Sequence, residues 1–144
     1  MTVPIGPAES GTVRAVPSAA LEAARAADEK LGEATVVLAM GELLGVTDAF
    51  VITHGRNTRQ VRTLVDEIER RVKEVSGRAP LAVEGLRDLH WVLMDYGDFL
   101  VHVFHEETRP YYDLEHLWGD APHVVWSVGT TRSAPDADRL GRGP

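Results

Sequence analysis

The stretch WVLMDYGDFLVHVFHEETRPYYDLEHLW, from Trp91 to Trp118, decides the fold of this chain. Two apolar runs, His90–Tyr96 and Phe99–His105, are separated only by Gly97 and Asp98. A two-residue link that contains glycine is typical of a β-hairpin, so the runs are predicted to pair as antiparallel strands. The second run is apolar on both of its faces, which indicates a strand covered on both sides, with helices as the expected cover.

A long amphipathic helix precedes the hairpin in the chain. Its apolar residues recur at the spacing of one helical face, and they are Val61, Leu64, Val65, Ile68, Val72 and Val75. Asn57 or Thr58 can cap its start, and Gly77 lies just past its end. The pattern predicts a helix that buries one stripe against the sheet.

Shorter patterns complete the predicted fold. Apolar runs predict strands over the segments 34–40, 49–54 and 80–85. Ser18 can cap a helix over residues 19–33, in which Asp28 interrupts the apolar stripe and predicts light packing. The segment 41–48 is predicted as a turn or a short helical turn. Residues 111–118 are predicted as a final short helix, and 124–128 could add a strand. The order α-β-β-α-β-β-β-α predicts a mixed α/β (α+β) fold with a sheet of about five strands flanked by helices.

Length and composition bound the class of protein. The 144 residues suit one domain, predicted over residues 18–122, with a disordered lead over 1–17 and a mostly disordered tail over 123–144. The chain has no cysteine, which excludes disulfides, thiolate metal sites and cysteine nucleophiles. Neither a signal peptide nor an apolar run of roughly 20 residues is present, so we expect a soluble, cytoplasmic protein.

The negative charge of the chain is concentrated in one segment. The whole chain carries −7, and eight acids against two bases between Glu84 and Trp118 account for −6 of it. The segment Arg56–Arg78 has seven bases and four acids. An acidic surface repels a phosphate backbone and attracts basic partners, although acids can also serve solubility alone.

An enzymatic interpretation finds few suitable residues. Asp95 and Asp98 at the hairpin turn could hold magnesium, whereas His102 and His105 point to opposite faces of their strand. The glycines form no phosphate-binding loop. Further candidates are isolated: an anion site at the helix start with Arg56 and Arg59, and a lone His54. An RNA contact through Arg56, Arg59 and Arg62 is a third possibility, and the serines Ser76 and Ser127 lie in no G-x-S-x-G motif.

The segment from Trp91 to Trp118 fits a docking surface better than an enzymatic site. Trp91 alternates with Leu93 and Asp95, so the three side chains are predicted to share one surface of the hairpin. Tyr112, Glu115 and Trp118 lie three apart and are predicted to share one face of the last helix. Aromatic groups surrounded by carboxylates suit binding to a basic protein surface, whereas core positions are the alternative for both tryptophans.

The same residues resemble a known family. The block W-V-L-x-D-Y-G-D-x-x-V-H-V-F, followed by R-x-x-Y-x-L-E-x-L-W, is similar to the ribosomal silencing factor family, called RsfS or Iojap. The segments DAFVITHGRNTRQVRTLVDEI and VEGL resemble it as well. The resemblance covers roughly Ala19 to Pro122.

The resemblance implies a regulator rather than an enzyme, with no catalytic residue, metal or cofactor. Such proteins bind the large ribosomal subunit through large-subunit ribosomal protein fourteen and block joining of the small subunit when nutrients are short. Their fold is similar to nucleotidyltransferases without the catalytic signature, and homodimers are expected. The alternative is a magnesium-dependent nucleotide-binding or nucleotidyl-transfer enzyme of the related fold.

On this basis the expected partner contacts are Trp91, Leu93, Asp95, Asp98, Tyr112, Glu115 and Glu84. A structural role or a contact role is expected for Tyr96, Gly97, His102, Arg109 and Trp118.

Overall fold

The computed structural model describes residues 16–127, without the side chain of residue 42. The helices are α1 (Ser18–Glu29), α2 (Gly41–Leu44), α3 (Thr58–Ser76), α4 (Arg109–Tyr112) and α5 (Leu114–Leu117). The strands are β1 (Glu33–Ala39), β2 (Ala49–Gly55), β3 (Ala82–Glu84), β4 (Trp91–Asp95) and β5 (Phe99–His105). Within this part of the chain, no helix is long and apolar enough to cross a membrane.

The strands form one mixed five-stranded sheet in the order β1-β2-β5-β4-β3. The pair β2–β5 at its centre is parallel, and the other pairs are antiparallel. The hairpin predicted from Gly97 and Asp98 is confirmed, since Trp91 pairs with Phe104 and Asp95 with Leu100 across it. The predicted mixed sheet is therefore confirmed as well.

Helices α1 and α3 cover one face of the sheet, which we call the inner face. The predicted start and end of α3 are confirmed: the Asn57 side chain accepts a hydrogen bond from the Gln60 backbone N–H, and Gly77 ends the helix with φ of 75°. The predicted stripe of α3 is buried from Val61 to Val72, whereas Val75 is 50% exposed. Burial of this stripe drives the docking of α3.

Two expectations for α1 were wrong. Pro17 occupies the N-cap position and no side chain caps the helix, because Ser18 is already its first helical residue. The packing is also not light, since all six alanines of α1 are buried. Alanine has a small side chain, so α1 can lie close to its neighbours without a broad stripe of large apolar residues. Arg71 of α3 forms ion pairs with Glu22 and Glu29 along the α1 surface.

The opposite face, which we call the outer face, is only partly covered. Phe50, Ile52 and Phe104 are buried there beneath Leu114 and Ala121, with Trp118 packed against the same cluster. Leu100 of β5 is only half-buried on this face. The expectation that helices bury both faces is thus met on the inner face and only in part on the outer one.

The chain after Pro122 runs along the edge of β1 without forming the extra strand suggested by its sequence. His123 makes one isolated bridge with Leu38, and the Val124 N–H donates to the Val37 carbonyl. The Trp126 indole donates to the Thr35 carbonyl at 3.0 Å. These contacts occupy part of a sheet edge that would otherwise be open. Residues 1–15 and 128–144, where the predicted disordered segments mostly fall, lie outside the described residues.

The burial difference along α3 gives a matched pair of substitutions. Val72→Ala should lower the free energy of unfolding by about 2 kcal/mol, because it removes two buried methyl groups and leaves a cavity. Val75→Ala, at the half-exposed end of the same stripe, should change it by less than about 0.5 kcal/mol. Urea unfolding followed by circular dichroism measures both. Equal losses would show that the register of α3 is wrong.

Candidate functional site

The uncovered half of the outer face is the candidate site. We call it the open face and define it by Trp91, Leu93 and Asp95 of β4, Glu84 of β3, Leu100 of β5 and Tyr112 of α4. Along β4 the burial alternates, so that Val92 and Met94 are buried while Trp91, Leu93 and Asp95 are half-buried. The alternation predicted from the sequence is confirmed for these three side chains. Glu84 lies exposed beside Leu93, its partner across the strands.

Trp91 is held in the open face by aromatic contacts. Its ring stacks on Phe104 with centroids 5.0 Å apart and packs against Tyr112 at 4.5 Å. Its indole N–H donates to Nδ1 of His102 at 3.2 Å. The ring is therefore partly in the core and partly on the surface. The sequence had left a core position and a binding position as alternatives, and Trp91 combines features of both. Fixed aromatic rings of this kind suit binding because little side-chain entropy is lost.

His102 is a buried support of this surface. It is 5% exposed and packs edge-to-face against Phe50 at 4.6 Å. Because its Nδ1 accepts from Trp91, the neutral ring carries its proton on Nε2. Burial lowers the pKa of His102 from 6.5 to about 4, so the ring is neutral at physiological pH.

The hairpin turn uses its polar groups internally. Oδ1 of Asp95 accepts the Gly97 backbone N–H at 2.8 Å, and Gly97 has φ of 90°, which favours glycine. Asp98 binds the Arg78 guanidinium with both oxygens, at 2.6 and 3.3 Å. The cationic group beside Asp98 competes with any magnesium ion there, so the structure does not favour the Asp95–Asp98 metal site.

Tyr96 lies on the inner side of the same turn. It is 3% exposed and stacks on Phe99 with centroids 4.7 Å apart. Burial raises the pKa of Tyr96 to about 12. The Arg78 guanidinium lies 6.0 Å from the Tyr96 ring and 5.5 Å from the Phe99 ring. Tyr96 therefore has a core position rather than one on the open face.

Arg109 fixes the C-terminal helices onto the sheet. Its guanidinium is buried and donates to both carboxylate oxygens of Glu115, to the carbonyls of Glu33 and Ala34, and to Nδ1 of His54. The bonds to the Ala34 carbonyl and to Glu115 Oε2 measure 2.8 and 2.6 Å. All the donor nitrogens of the guanidinium are thus engaged, which makes Arg109 a positioning residue for α4 and α5.

The predicted single helix over residues 111–118 was wrong. The chain forms two short helices instead, because Asp113 adopts a left-handed conformation with φ of 47° between them. Tyr112 therefore packs on Trp91, Glu115 turns to Arg109, and Trp118 lies edge-on to Phe50 at 6.3 Å. These three side chains do not form one helical face.

A second cluster of metal-ligating residue types lies at the far end of β2. Glu33, His54 and Glu106 place ligand atoms within 4.8 Å of one another. Arg109 donates to His54 Nδ1, so the neutral ring carries its hydrogen on Nε2, which faces the Glu33 carboxylate at 3.3 Å. A metal would need the lone pair of that nitrogen. The geometry therefore favours an ion-pair network, in which burial and Arg109 lower the pKa of His54.

The start of α3 was the candidate anion site. The Asn57 side chain already accepts the Gln60 N–H, and Arg56 lies 3.4 Å from the Glu33 carboxylate. Arg62 pairs with Asp66 one turn further along. The helix start is thus capped from within, and two of the three arginines proposed to touch RNA have acidic partners.

Two interactions of the site were not predicted from the sequence. Arg78 lies 20 residues before the Asp98 carboxylate that it binds, and Glu33 meets Arg109 across 76 residues of sequence. No local pattern announces such pairs. The unusual burial of an arginine follows only from the β1 bulge, where Ala34 has φ of 47° and two carbonyls turn toward α4.

The Arg109 network generates a stability prediction. Arg109→Met should lower the free energy of unfolding by roughly 2–4 kcal/mol, since it leaves Glu115 and the carbonyls of Glu33 and Ala34 without their partner. Arg62→Met, which breaks an exposed pair on α3, should cost less than about 0.5 kcal/mol. Chemical unfolding of both variants measures the difference. Similar costs for the two would contradict the role assigned to Arg109.

Burial of His102 predicts a dependence of stability on pH. Because its pKa is about 4 in the folded chain and 6.5 as the ordinary value, the unfolded chain binds the additional proton between these values. Stability should therefore be complete above pH 6.5 and fall as the pH drops toward 4, by at most about 1.4 kcal/mol per unit. His102→Gln keeps an acceptor for Trp91 and should show a shallower slope. Parallel pH curves for the two proteins would contradict this assignment.

The chain is similar to known proteins in both sequence and fold. The sequence model of one family, described as "Ribosomal silencing factor during starvation", matches residues 13–141. A ribosomal silencing factor from Halalkalibacterium halodurans is 42% identical over 102 residues, which cover 71% of this chain and 86% of that protein.

Two further similarities concern the fold and a more distant relative. A crystal structure of a protein from Chromobacterium violaceum matches with a TM-score of 0.68 and 30% identity, covering 72% of this chain and 86% of that one. The mouse protein named "mitochondrial assembly of ribosomal large subunit protein 1" is 34% identical over 74 residues, which cover 50% of this chain and 32% of that protein. Because the family model matches most of this chain, the chain belongs to the ribosomal silencing factor family, whose role is ribosome-associated silencing.

Proposed function

We propose that this protein binds the large ribosomal subunit with its open face and sterically prevents the small subunit from joining. The observation that carries this proposal is the half-covered outer face, where Trp91 and Tyr112 are packed against each other yet still reach the surface, with half-buried Leu93 next along β4. A rigid aromatic and aliphatic centre with a polar rim has the composition of a protein-binding site.

The charge around the open face favours a basic protein as the contact. Glu84 and Asp88 are exposed at its β3 side, and the segment Glu84–Trp118 carries −6 overall. Complementary charge increases the rate of encounter, and apolar burial slows release. We infer that the contact is large-subunit ribosomal protein fourteen, as the family resemblance implies. The name of the mouse relative supports the large subunit as the particle that is bound.

Silencing by this route requires no chemistry on the protein. One bound molecule occupies space that the small subunit needs, so translation falls with the fraction of large subunits occupied. The geometry gives little support to the nucleotidyl-transfer alternative, since Asp98 is engaged by Arg78 and the α3 start is capped by Asn57. Self-association of the chain stays a prediction from the family resemblance.

A positive charge placed in the open face should weaken binding to the large subunit. Leu93→Arg inserts a cation into the apolar centre of the proposed contact and should weaken large-subunit binding at least tenfold, a loss of about 1.4 kcal/mol. The control is Val75→Arg, which puts the same charge on the far side of the molecule. Co-sedimentation with purified large and small subunits, followed by a subunit-joining assay, measures both effects.

The two variants separate the possible outcomes. Selective large-subunit binding that is lost in Leu93→Arg and kept in Val75→Arg supports the proposal. Equal binding by both variants would show that the contact lies outside the open face. No binding of the unmodified protein to either subunit would refute the proposed function.

A further inference from the structure

A pocket adjoins the open face on the side of α4. Its lining includes the side chains of Asp88, His90, Trp91, Thr108, Tyr111 and Tyr112. Three of these are large aromatic rings, and Tyr112 contacts each of the other two. Tyr112 packs on Trp91 with centroids 4.5 Å apart, and Tyr111 meets Tyr112 edge-on at 5.0 Å. The pocket therefore has an aromatic wall that continues the centre of the open face.

Tyr111 contributes little to the core of the protein. Its side chain is 80% exposed, and within residues 16–127 its only ring contact is with Tyr112. An exposed ring next to a rigid aromatic pair presents its π-face to solvent. A tyrosine in this position is available to a ligand at low entropic cost, since its side chain has only two rotatable dihedral angles to order.

Asp88 supplies the charge of the pocket. It is exposed and, in the described part of the chain, makes no hydrogen bond or ion pair. Its loop is shaped by the backbone instead: the Leu89 N–H donates to the Gly85 carbonyl, and Gly85 has φ of 95°. A Cβ on Gly85 would lie 2.1 Å from the Trp91 carbonyl oxygen, so the loop is held tightly against β4. The Asp88 carboxylate is thus unpaired on a loop that is held in place against β4.

The aromatic wall lacks an available indole donor. The Trp91 N–H is committed to His102, so the ring offers the pocket only its π-system. A π-face next to an unpaired carboxylate complements a flat cation that can stack and donate hydrogen bonds at the same time. The guanidinium of arginine has this combination, whereas the lysine ammonium is a compact charge that does not stack.

We propose that this pocket takes an arginine side chain of the basic protein partner, with the guanidinium stacked on Tyr111 and donating to Asp88. This inference rests on the proposed function, because it names the group that the same surface recognises. An RNA base could also stack on tyrosine, but the phosphate that accompanies it would meet Asp88 and Glu84. The charge therefore favours a protein side chain.

A direct test uses small probes on the full-length protein. N-acetyl-arginine amide should shift the NMR resonances of Tyr111 and of the Asp88 backbone, with an affinity on the order of millimolar. N-acetyl-lysine amide should cause clearly smaller shifts, and Tyr111→Leu should remove the response to arginine. Equal shifts with the two amides would overturn the proposal, as would a response to uridine monophosphate with none to the arginine amide.

Binding to large subunits tests the pocket in its proposed setting. Tyr111→Leu and Asp88→Asn should each weaken binding about tenfold, whereas Tyr111→Phe, which keeps the ring, should bind like the unmodified protein. Glu69→Gln, an exposed acid on α3, is the control for loss of one negative charge. The two pocket variants are surface changes and should unfold at the same urea concentration as the unmodified protein.

The outcomes distinguish this inference from the function on which it rests. Normal binding by Tyr111→Leu and Asp88→Asn, together with loss of binding in Leu93→Arg, would overturn the arginine pocket and leave the proposed function standing. Failure of the unmodified protein to bind large subunits would refute the proposed function. In that case the amide titration still decides whether the pocket selects arginine.

Discussion

The buried guanidinium of Arg109 is the interaction on which the outer face depends. It joins α4 and α5 to the first two strands through Glu115, His54 and the carbonyls of Glu33 and Ala34. These contacts hold Tyr112 over Trp91 on one side, and Leu114 and Trp118 over Phe50 on the other. A buried cation is stable only when its donors are matched, and the bulge in β1 supplies two of the acceptors. Each of the two helices is only four residues long, so contacts with the sheet rather than hydrogen bonds within the helix hold it in place.

The two faces of the sheet differ in how completely they are covered. The inner face is closed by the alanine-rich α1 and by the apolar stripe of α3, as in an ordinary hydrophobic core. On the outer face, Leu114, Trp118 and Ala121 cover the region around Phe50 and Phe104, which leaves β4 and β3 with a surface that is partly apolar and partly acidic. Several acids that looked available in the sequence are engaged internally, namely Asp98 with Arg78, Glu115 with Arg109 and Asp95 with the turn. Glu84 and Asp88 stay exposed beside the open face, and their carboxylates have no hydrogen bond or ion pair among the described residues.

Sequence patterns predicted the secondary-structure elements that are specified by residues close together in the chain. The glycine turn between two apolar runs fixed the hairpin, and a cap, a stripe and a terminal glycine fixed α3. Prediction was wrong where a local signal competed with packing. Ser18 resembled a cap, yet it is the first residue of α1 and Pro17 holds the N-cap position, and Asp28 did not prevent α1 from burying its alanines. The final helix broke at Asp113 because α4 and α5 are positioned by separate contacts, one on Trp91 and one on Phe50.

For the candidate site, the sequence by itself determined that Trp91, Leu93 and Asp95 share a surface, because alternation along a strand is a property of the backbone. It also determined the family, through an ordered block of residues in the hairpin and the helices after it. Only the tertiary structure decided which of these groups are available for binding. Ion pairs such as Arg78–Asp98 and Arg109–Glu115, and the hydrogen bond that commits the Trp91 indole to His102, depend on the three-dimensional approach of separate segments. No spacing rule along one chain contains that information, because the partners are chosen by packing rather than by sequence neighbourhood.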